Sequence, residues 1–201
     1  MINNKFINTT RSISYNLKNN KFKKKNIRQP FIWFLTDIKK TNCPIKIIQK
    51  LPKKSGVIIR NYSNNEQLKT NAIKKYRYSR LLTILVAGKF SKYSILDGIH
   101  YPRWLQSSNI RNNVIRSISV HSGKDIRKSI NLKANLIFVA PVFKTTSHKK
   151  QNCLGVVKLG LLVKLFKIPA IALGGINKTN VSRLKNLPIS GCAGIDAFLE
   201  Q

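Results

Sequence analysis

IPAIALGGI occupies residues 168–176. Ile168 to Leu173 form a short apolar run, too brief for a buried helix. Such a run reads as a strand of a parallel sheet covered on both faces. Gly174 and Gly175 then let the backbone turn sharply. A helix is expected over 177–187, where Val181, Leu184 and Leu187 share a face and Pro188 stops the pattern. Strand, glycine turn and helix make one βα unit.

The same texture recurs on either side. Further runs stand at 31–35 (FIWFL), 56–59 (GVII), 81–87 (LLTILVA), 98–101 (GIHY), 115–120 (IRSISV), 135–140 (NLIFVA) and 194–198 (GIDAF). All are brief and rich in Ile, Val, Leu and Phe. Between them lie helical patterns. Leu68, Ala72, Ile73 and Tyr76 share one face of 65–78. In 122–132, Ser122 precedes Ile126 and Ile130, and Asp125 stands three residues after the serine, as in a capping box with a shortened acid. Eight strand candidates alternating with helices predict an α/β fold, a compact (β/α)8 TIM barrel. A doubly wound open sheet is the alternative that pattern alone leaves open. With 201 residues the chain is short for a barrel, so the first and last helices are expected to be small or missing.

Residues 1–30 differ. They hold eight basic residues, no acid, many Asn and only isolated apolar side chains. This segment reads as a disordered basic low-complexity extension, 1–30, ahead of a barrel domain, 31–201. It lacks the apolar core of a secretory signal; an organelle transit sequence is the alternative.

In such a barrel, chemistry sits at the carboxyl ends of the strands. Gly174 and Gly175 follow the seventh run, where backbone N–H groups and a helix start suit a phosphate. The sixth run leads into PVFKTTSHKK (141–150), whose hydroxyls and cations suit phosphate oxygens. His121, after the fifth run, is a candidate for proton transfer near neutral pH, or else a structural residue at a strand end. Arg60, after the second, is a carboxylate or phosphate clamp, with a surface ion pair as the bland reading. His100, in the fourth, reads as a core or rim histidine. No acid has an acidic neighbour in sequence, which argues against a carboxylate dyad.

The chain carries 38 basic and 6 acidic residues, a net charge of +32. That balance admits a polyanionic partner. However, Lys outnumbers Arg 28 to 10, Asn and Ile are also abundant, and the charge is spread along the chain. AT-rich coding raises Lys, Asn and Ile together, and the sequence has no zinc-finger spacing, no basic region with heptads and no RNA-recognition aromatic signature, so a nucleic-acid partner is not expected. No apolar run is long enough to span a membrane; the most apolar stretch, 154–166, is interrupted by Lys158 and Lys164. Cys43, Cys153 and Cys192 lie far apart and lack metal-ligand spacing, and read as thiols of a reducing, cytoplasmic compartment.

Taken together, ISVHS (118–122), PVFKTTSHK (141–149), LG (154–155), IPAIALGGI (168–176) and GCAGIDAF (191–198) resemble, in order and spacing, the second half of the thiamine phosphate synthase and thiazole tautomerase family. FIWFLTD (31–37), GVIIRNY (56–62) and DGIHYP (97–102) resemble its opening, second and fourth strands more faintly. The resemblance implies a (β/α)8 barrel and a place in thiamine biosynthesis. The family's synthase joins hydroxymethylpyrimidine diphosphate to thiazole phosphate, releasing pyrophosphate with magnesium. By position, Arg60 and Ser119 would meet the pyrimidine diphosphate. Thr145, Ser147, Gly174 and Gly175 would hold the thiazole phosphate, with Lys149 substituting for a loop lysine that aligns with His148.

The chain also departs from the family's pattern. Val86-Ala87-Gly88 replaces an Asn-Asp pair, and Tyr101 to Leu105 lacks the second metal-binding Asp. Ile58, Tyr62 and Leu199 replace a Gln, a Lys and a phosphate-binding Ser. Magnesium needs oxygen ligands, and both expected carboxylates are missing, so no metal site is assigned. Arg103, Lys89 and Lys149 are candidates to replace the metal's charge. A tautomerase would need no metal, but Pro141 stands where the family's relatives place a His, leaving His121 as candidate base by analogy. A non-catalytic phosphate-ligand-binding barrel is the remaining reading.

Overall fold

A computed structural model describes residues 3–18, 29–37, 40–41, 43–60, 70–87, 97–102, 104, 114–145 and 152–199. Ser147, Lys149, Lys89 and Arg103 fall outside these residues, as does the start of the helix expected from residue 65.

Eight parallel strands close into a barrel in sequence order. They are β1 (Ile32–Leu35), β2 (Gly56–Arg60), β3 (Thr83–Ala87), β4 (Gly98–Tyr101), β5 (Ile115–Val120), β6 (Leu136–Val139), β7 (Ala170–Leu173) and β8 (Gly191–Gly194). Closure comes from β1 pairing with β8, Trp33 opposite Ala193. This excludes the open sheet.

Alternation along each strand builds two cores. Trp33, Leu35, Ile58, Leu85, Leu136, Phe138 and Ile171 point into the barrel. Val57, Ile59, Ile137 and Val139, one residue off that phase, point outward to the helices. Trp33 and Phe138 meet edge to face inside, ring centroids 5.3 Å apart, and the indole N–H donates to the Pro30 carbonyl at 2.9 Å. Every strand is therefore covered on both faces, which is why the sequence shows continuous apolar runs rather than alternation.

Helices α2 (Pro44–Lys50), α3 (Thr70–Arg80), α4 (Asp125–Asn131) and α5 (Gly155–Leu165) follow β1, β2, β5 and β6. The expected capping box does not form: α4 starts at Asp125 with Lys124 as its N-cap, and one Asp125 carboxylate oxygen instead accepts the N–H groups of His121 at 2.8 Å and Ser122 at 3.1 Å in the turn ahead of the helix. The apolar 154–166 stretch is α5. It buries Leu159, Leu162 and Val163 and leaves Val157, Leu161 and Leu165 exposed. Among the described residues no helix is long and apolar enough to cross a membrane.

Three local expectations change. The helix expected over 177–187 is a short 3-10 turn, Val181–Leu184, preceded by a turn knotted by side chains. Asn177 Oδ1 accepts the N–H groups of Thr179 and Asn180, and Asn180 Oδ1 accepts that of Asn177. These bonds satisfy backbone donors locally, so no α-helix is needed to do so. The last strand is Gly191–Gly194, not 194–198, where Asp196–Phe198 make a 3-10 turn. GCAG has no bulky side chain to announce a strand. It is small because the chain passes close to β1: a Cβ on Gly191 would lie 1.9 Å from the Phe31 carbonyl oxygen.

Over Asn4–Lys18 the structure differs from the expected disordered extension: these residues form helix α1. Phe6, Thr10 and Ile13, at helical spacing, are buried against β8, β1 and the 181–184 turn. Phe6 stacks edge-on to Phe198 at 5.7 Å, and Phe198 to Phe34 at 5.5 Å. The isolated apolar residues are isolated in sequence only; on a helix they form one stripe, and the seam between the first and last strands receives it.

Candidate functional site

Parallel closure brings every strand's carboxyl end to one rim. Arg60, Ser119, His121, Thr145, Gly174 and Gly175 thus lie on the same end of the barrel, as the sequence suggests.

Arg60 ends β2 and is held firmly. Its Nε donates to the Thr36 carbonyl at 2.7 Å and its Nη2 to Asp37 Oδ2 at 2.8 Å, while its backbone N–H donates to Thr36 Oγ1 at 2.9 Å. The ion pair with Asp37 exists, but both side chains are only 20% exposed, so it is a fixed element of the rim and not a loose surface pair. Nη1 has no partner among the described residues. Asp37 is absent from the residues read as functional in the sequence. Its signal, an acid directly after an apolar run, is there in FLTD.

Inside the rim stands His100. It is 2% exposed and bridges two serines: Nδ1 lies 2.9 Å from Ser117 Oγ and Nε2 3.0 Å from Ser119 Oγ. Its ring packs edge-on against Phe138 at 5.2 Å. Burial, with the nearby positive charge of Arg60, pushes its pKa down to about 3, so the imidazole is neutral at physiological pH. The alternation of β4 and β5 explains the cluster. His100, Ser117 and Ser119 occupy the inward phase, while Ile99, Ile118 and Val120 face the helices. The expectation of a core histidine holds, and its two partners make it a polar core residue beside Ser119. His121, one residue past β5, is half-buried, and its N–H is committed to Asp125.

On the far wall, the loops after β6 and β7 are laced together. Val142 N–H donates to the Leu173 carbonyl at 2.9 Å and Phe143 N–H to Gly174 at 3.0 Å. Asn180 Nδ2 donates to the Gly175 carbonyl at 2.8 Å, and Arg183 lies over the Phe143 ring, 5.3 Å from its centre. Gly174 and Gly175 have φ of 94° and 67°, in the left-handed region. A Cβ on Gly175 would sit 2.2 Å from the Lys144 carbonyl oxygen. Among the described residues no acceptor faces the Gly175 N–H. The helix-terminus contribution expected here is absent, because the 3-10 turn is too short to supply it.

Four carboxylates lie in the described residues, and each is engaged. Asp37 holds Arg60, Asp196 holds Lys40 at 2.8 Å, and Asp97 holds Arg77 at 2.5 Å. Asp125 holds the turn ahead of α4. Among the described residues no group of three His, Cys, Asp or Glu side chains is placed to hold a metal ion. These residues do not fit magnesium.

The family model for thiamine monophosphate synthase matches residues 105–198, a span that contains β5 to β8 and both phosphate-loop candidates. Curated relatives extend the likeness. The chain is 32% identical over 139 residues to a thiamine-phosphate synthase of Prochlorococcus marinus, covering 67% of this chain and 39% of that protein. It is 30% identical over 109 residues to one from Syntrophomonas wolfei, covering 51% and 52%. The chain thus spans between about two fifths and half of these two relatives' lengths. A solved thiamine phosphate pyrophosphorylase from Pyrococcus furiosus superposes with a TM-score of 0.71 over 86% of this chain and 89% of that one. At 19% identity that is a likeness of fold. Ser119, Thr145, Gly174 and Gly175 fall in the region that this family model matches, and Arg60 and His100 come from strands ahead of it.

Proposed function

We propose that this chain acts in thiamine biosynthesis, joining hydroxymethylpyrimidine diphosphate to a thiazole phosphate at the carboxyl rim of the barrel. The observation that carries the reading is the uneven rim. Arg60, His100, Ser117 and Ser119 place a cation and hydrogen-bonding groups on β2, β4 and β5 of an interior whose other packed side chains are largely apolar. β6 stands four strands from β2 in an eight-strand ring, hence on the opposite wall, and carries the loop that meets Gly174 and Gly175. Two walls with anion-binding character suit two phosphorylated reactants brought together between them.

In the transfer, the bond between the pyrimidine methylene carbon and the diphosphate oxygen breaks, and its electron pair leaves with pyrophosphate. The thiazole nitrogen's lone pair forms the new bond to carbon. Charge grows on the leaving group, so a cation fixed beforehand lowers the barrier. Arg60 is fixed in this sense by Asp37 and Thr36. Thr145 and the Gly175 N–H would orient the thiazole phosphate, with Ser147 and Lys149 contributing from the same loop. No step is assigned to a metal or to His121.

The test is to incubate the protein with both precursors, with and without magnesium, and follow thiamine phosphate. Product is expected, and Arg60→Ala should lower its rate by about 100-fold, the scale on which loss of one electrostatic stabiliser acts. No product, with thermal stabilisation by thiazole phosphate alone, would instead assign a tautomerase or a binding barrel.

A further inference from the structure

The His100 cluster contains a proton-counting constraint. A neutral imidazole has one N–H donor and one bare acceptor nitrogen. Its two neighbours are not equivalent. Ser117 is fully buried, and its hydroxyl has two acceptors within reach: His100 Nδ1 at 2.9 Å and the Ile99 carbonyl at 3.5 Å. The second is too long for a sound O–H···O bond. A buried hydroxyl left without an acceptor is costly, so the Ser117 proton belongs on Nδ1. Nε2 must then carry the ring proton and donate it to Ser119 Oγ at 3.0 Å. Ser119 is only half-buried, beside the rim, and its hydroxyl has no other partner among the described residues. Its own proton is left to point elsewhere.

We propose that His100 is a positioning residue that, relayed from Ser117, holds Ser119 as a fixed hydrogen-bond donor to an anionic, acceptor-rich ligand over the barrel mouth. The ligand half of this rests on the diphosphate reading above; the proton arrangement does not. The arrangement is directional. Had Nδ1 carried the proton, Ser119 would have to give its own to Nε2 and would offer the ligand only lone pairs, which a diphosphate repels. The charged group facing the cluster is Arg60, whose positive charge adds to burial in keeping the ring neutral. Arg60, held by Asp37, and Ser119 then offer a cation and a donor side by side on this wall.

Two measurements test it. In the intact protein labelled with 15N-histidine, the His100 Nε2 signal should be of the protonated, pyrrole type and the Nδ1 signal of the bare, pyridine type. The reverse pattern overturns the proposal whatever the ligand. The second is a double-mutant cycle on binding of inorganic pyrophosphate. Ser119→Ala should weaken binding by about tenfold, the worth of one hydrogen bond to a charged group. His100→Phe should cost about as much, and adding it to Ser119→Ala should cost little more, because the histidine acts only through the serine. His100→Gln, which can still donate to Ser119, should recover most of the affinity. Fully additive losses would mean that His100 merely supports the fold, and would overturn the proposal. If the unmodified protein ignores pyrophosphate while the Nε2–H pattern is present, the proton arrangement stands and the diphosphate reading is the part that fails.

Discussion

A histidine held at a pKa of about 3 by burial makes the folded state sensitive to acid. The unfolded chain takes up a proton on His100 near pH 6.5, and the folded one does not until far lower. Between those values the unfolded state binds more protons, so stability is complete above about pH 6.5 and is lost as pH falls. The loss should reach about 2 kcal/mol by pH 5. Urea unfolding at the two pH values should show that drop in the native protein and a smaller one in His100→Gln. A second residue-scale outcome concerns Gly175. The backbone carbonyls of Phe143 and Lys144 occupy the space that a Cβ there would need. Gly175→Ala should therefore cost at least about 2 kcal/mol, on the scale of overpacking and left-handed strain combined. An unchanged melting temperature would show that the two loops do not pack as described. Arg60 is legible as a candidate because a strand end announces itself, and Ser119 through the family resemblance alone. Their partners Asp37 and Ser117 are not, because only the register of neighbouring strands brings them together.

At the scale of elements, α1 changes most between sequence and structure. Its apolar side chains are sparse, and a helix whose buried positions, among the described side chains, are Phe6, Ile7, Thr10 and Ile13 has little pattern to show. The stripe formed by Phe6, Thr10 and Ile13 acquires meaning only once β8 and β1 close beside each other and leave Phe198 and Phe34 to be covered. Phe6→Ala should destabilise the whole barrel by about 3 kcal/mol, as expected for a fully buried aromatic. Calorimetry should show one shifted transition. No shift would mean that α1 is not part of the cooperative unit. By contrast, α5 is apolar nearly all round, yet one side faces solvent. Leu161, 62% exposed, should accept Lys with a change within about 0.5 kcal/mol. Element existence was readable for β1 to β7 from apolar runs. β8 was misplaced by several residues because close approach to β1 demands glycine and small side chains there.

For the whole molecule, the surplus of 38 basic over 6 acidic residues is the dominant long-range term. The four described carboxylates are all engaged in holding elements together, so little negative charge is left to offset repulsion. Raising salt from about 0.05 M to about 0.5 M should screen that repulsion and raise the melting temperature. The same change should weaken pyrophosphate binding, since one set of charges destabilises the fold and attracts the ligand. A melting temperature that falls with salt would show that the ion pairs Arg60–Asp37, Arg77–Asp97 and Lys40–Asp196 outweigh the net charge.

By itself the sequence determined the repeating βα texture, the doubly covered strands and the likeness of its second half to the thiamine monophosphate synthase family. Those are local properties: run length, side-chain size and motif order need no knowledge of distant residues. Only the tertiary structure decided closure over an open sheet, the docking of α1 on the β1–β8 seam and the placement of β8. It also decided the pairing of Asp37 with Arg60, and the burial of a neutral His100 between Ser117 and Ser119. Each depends on residues tens of positions apart meeting at fixed distances, and that information lies in strand register and barrel curvature rather than in any one stretch of chain.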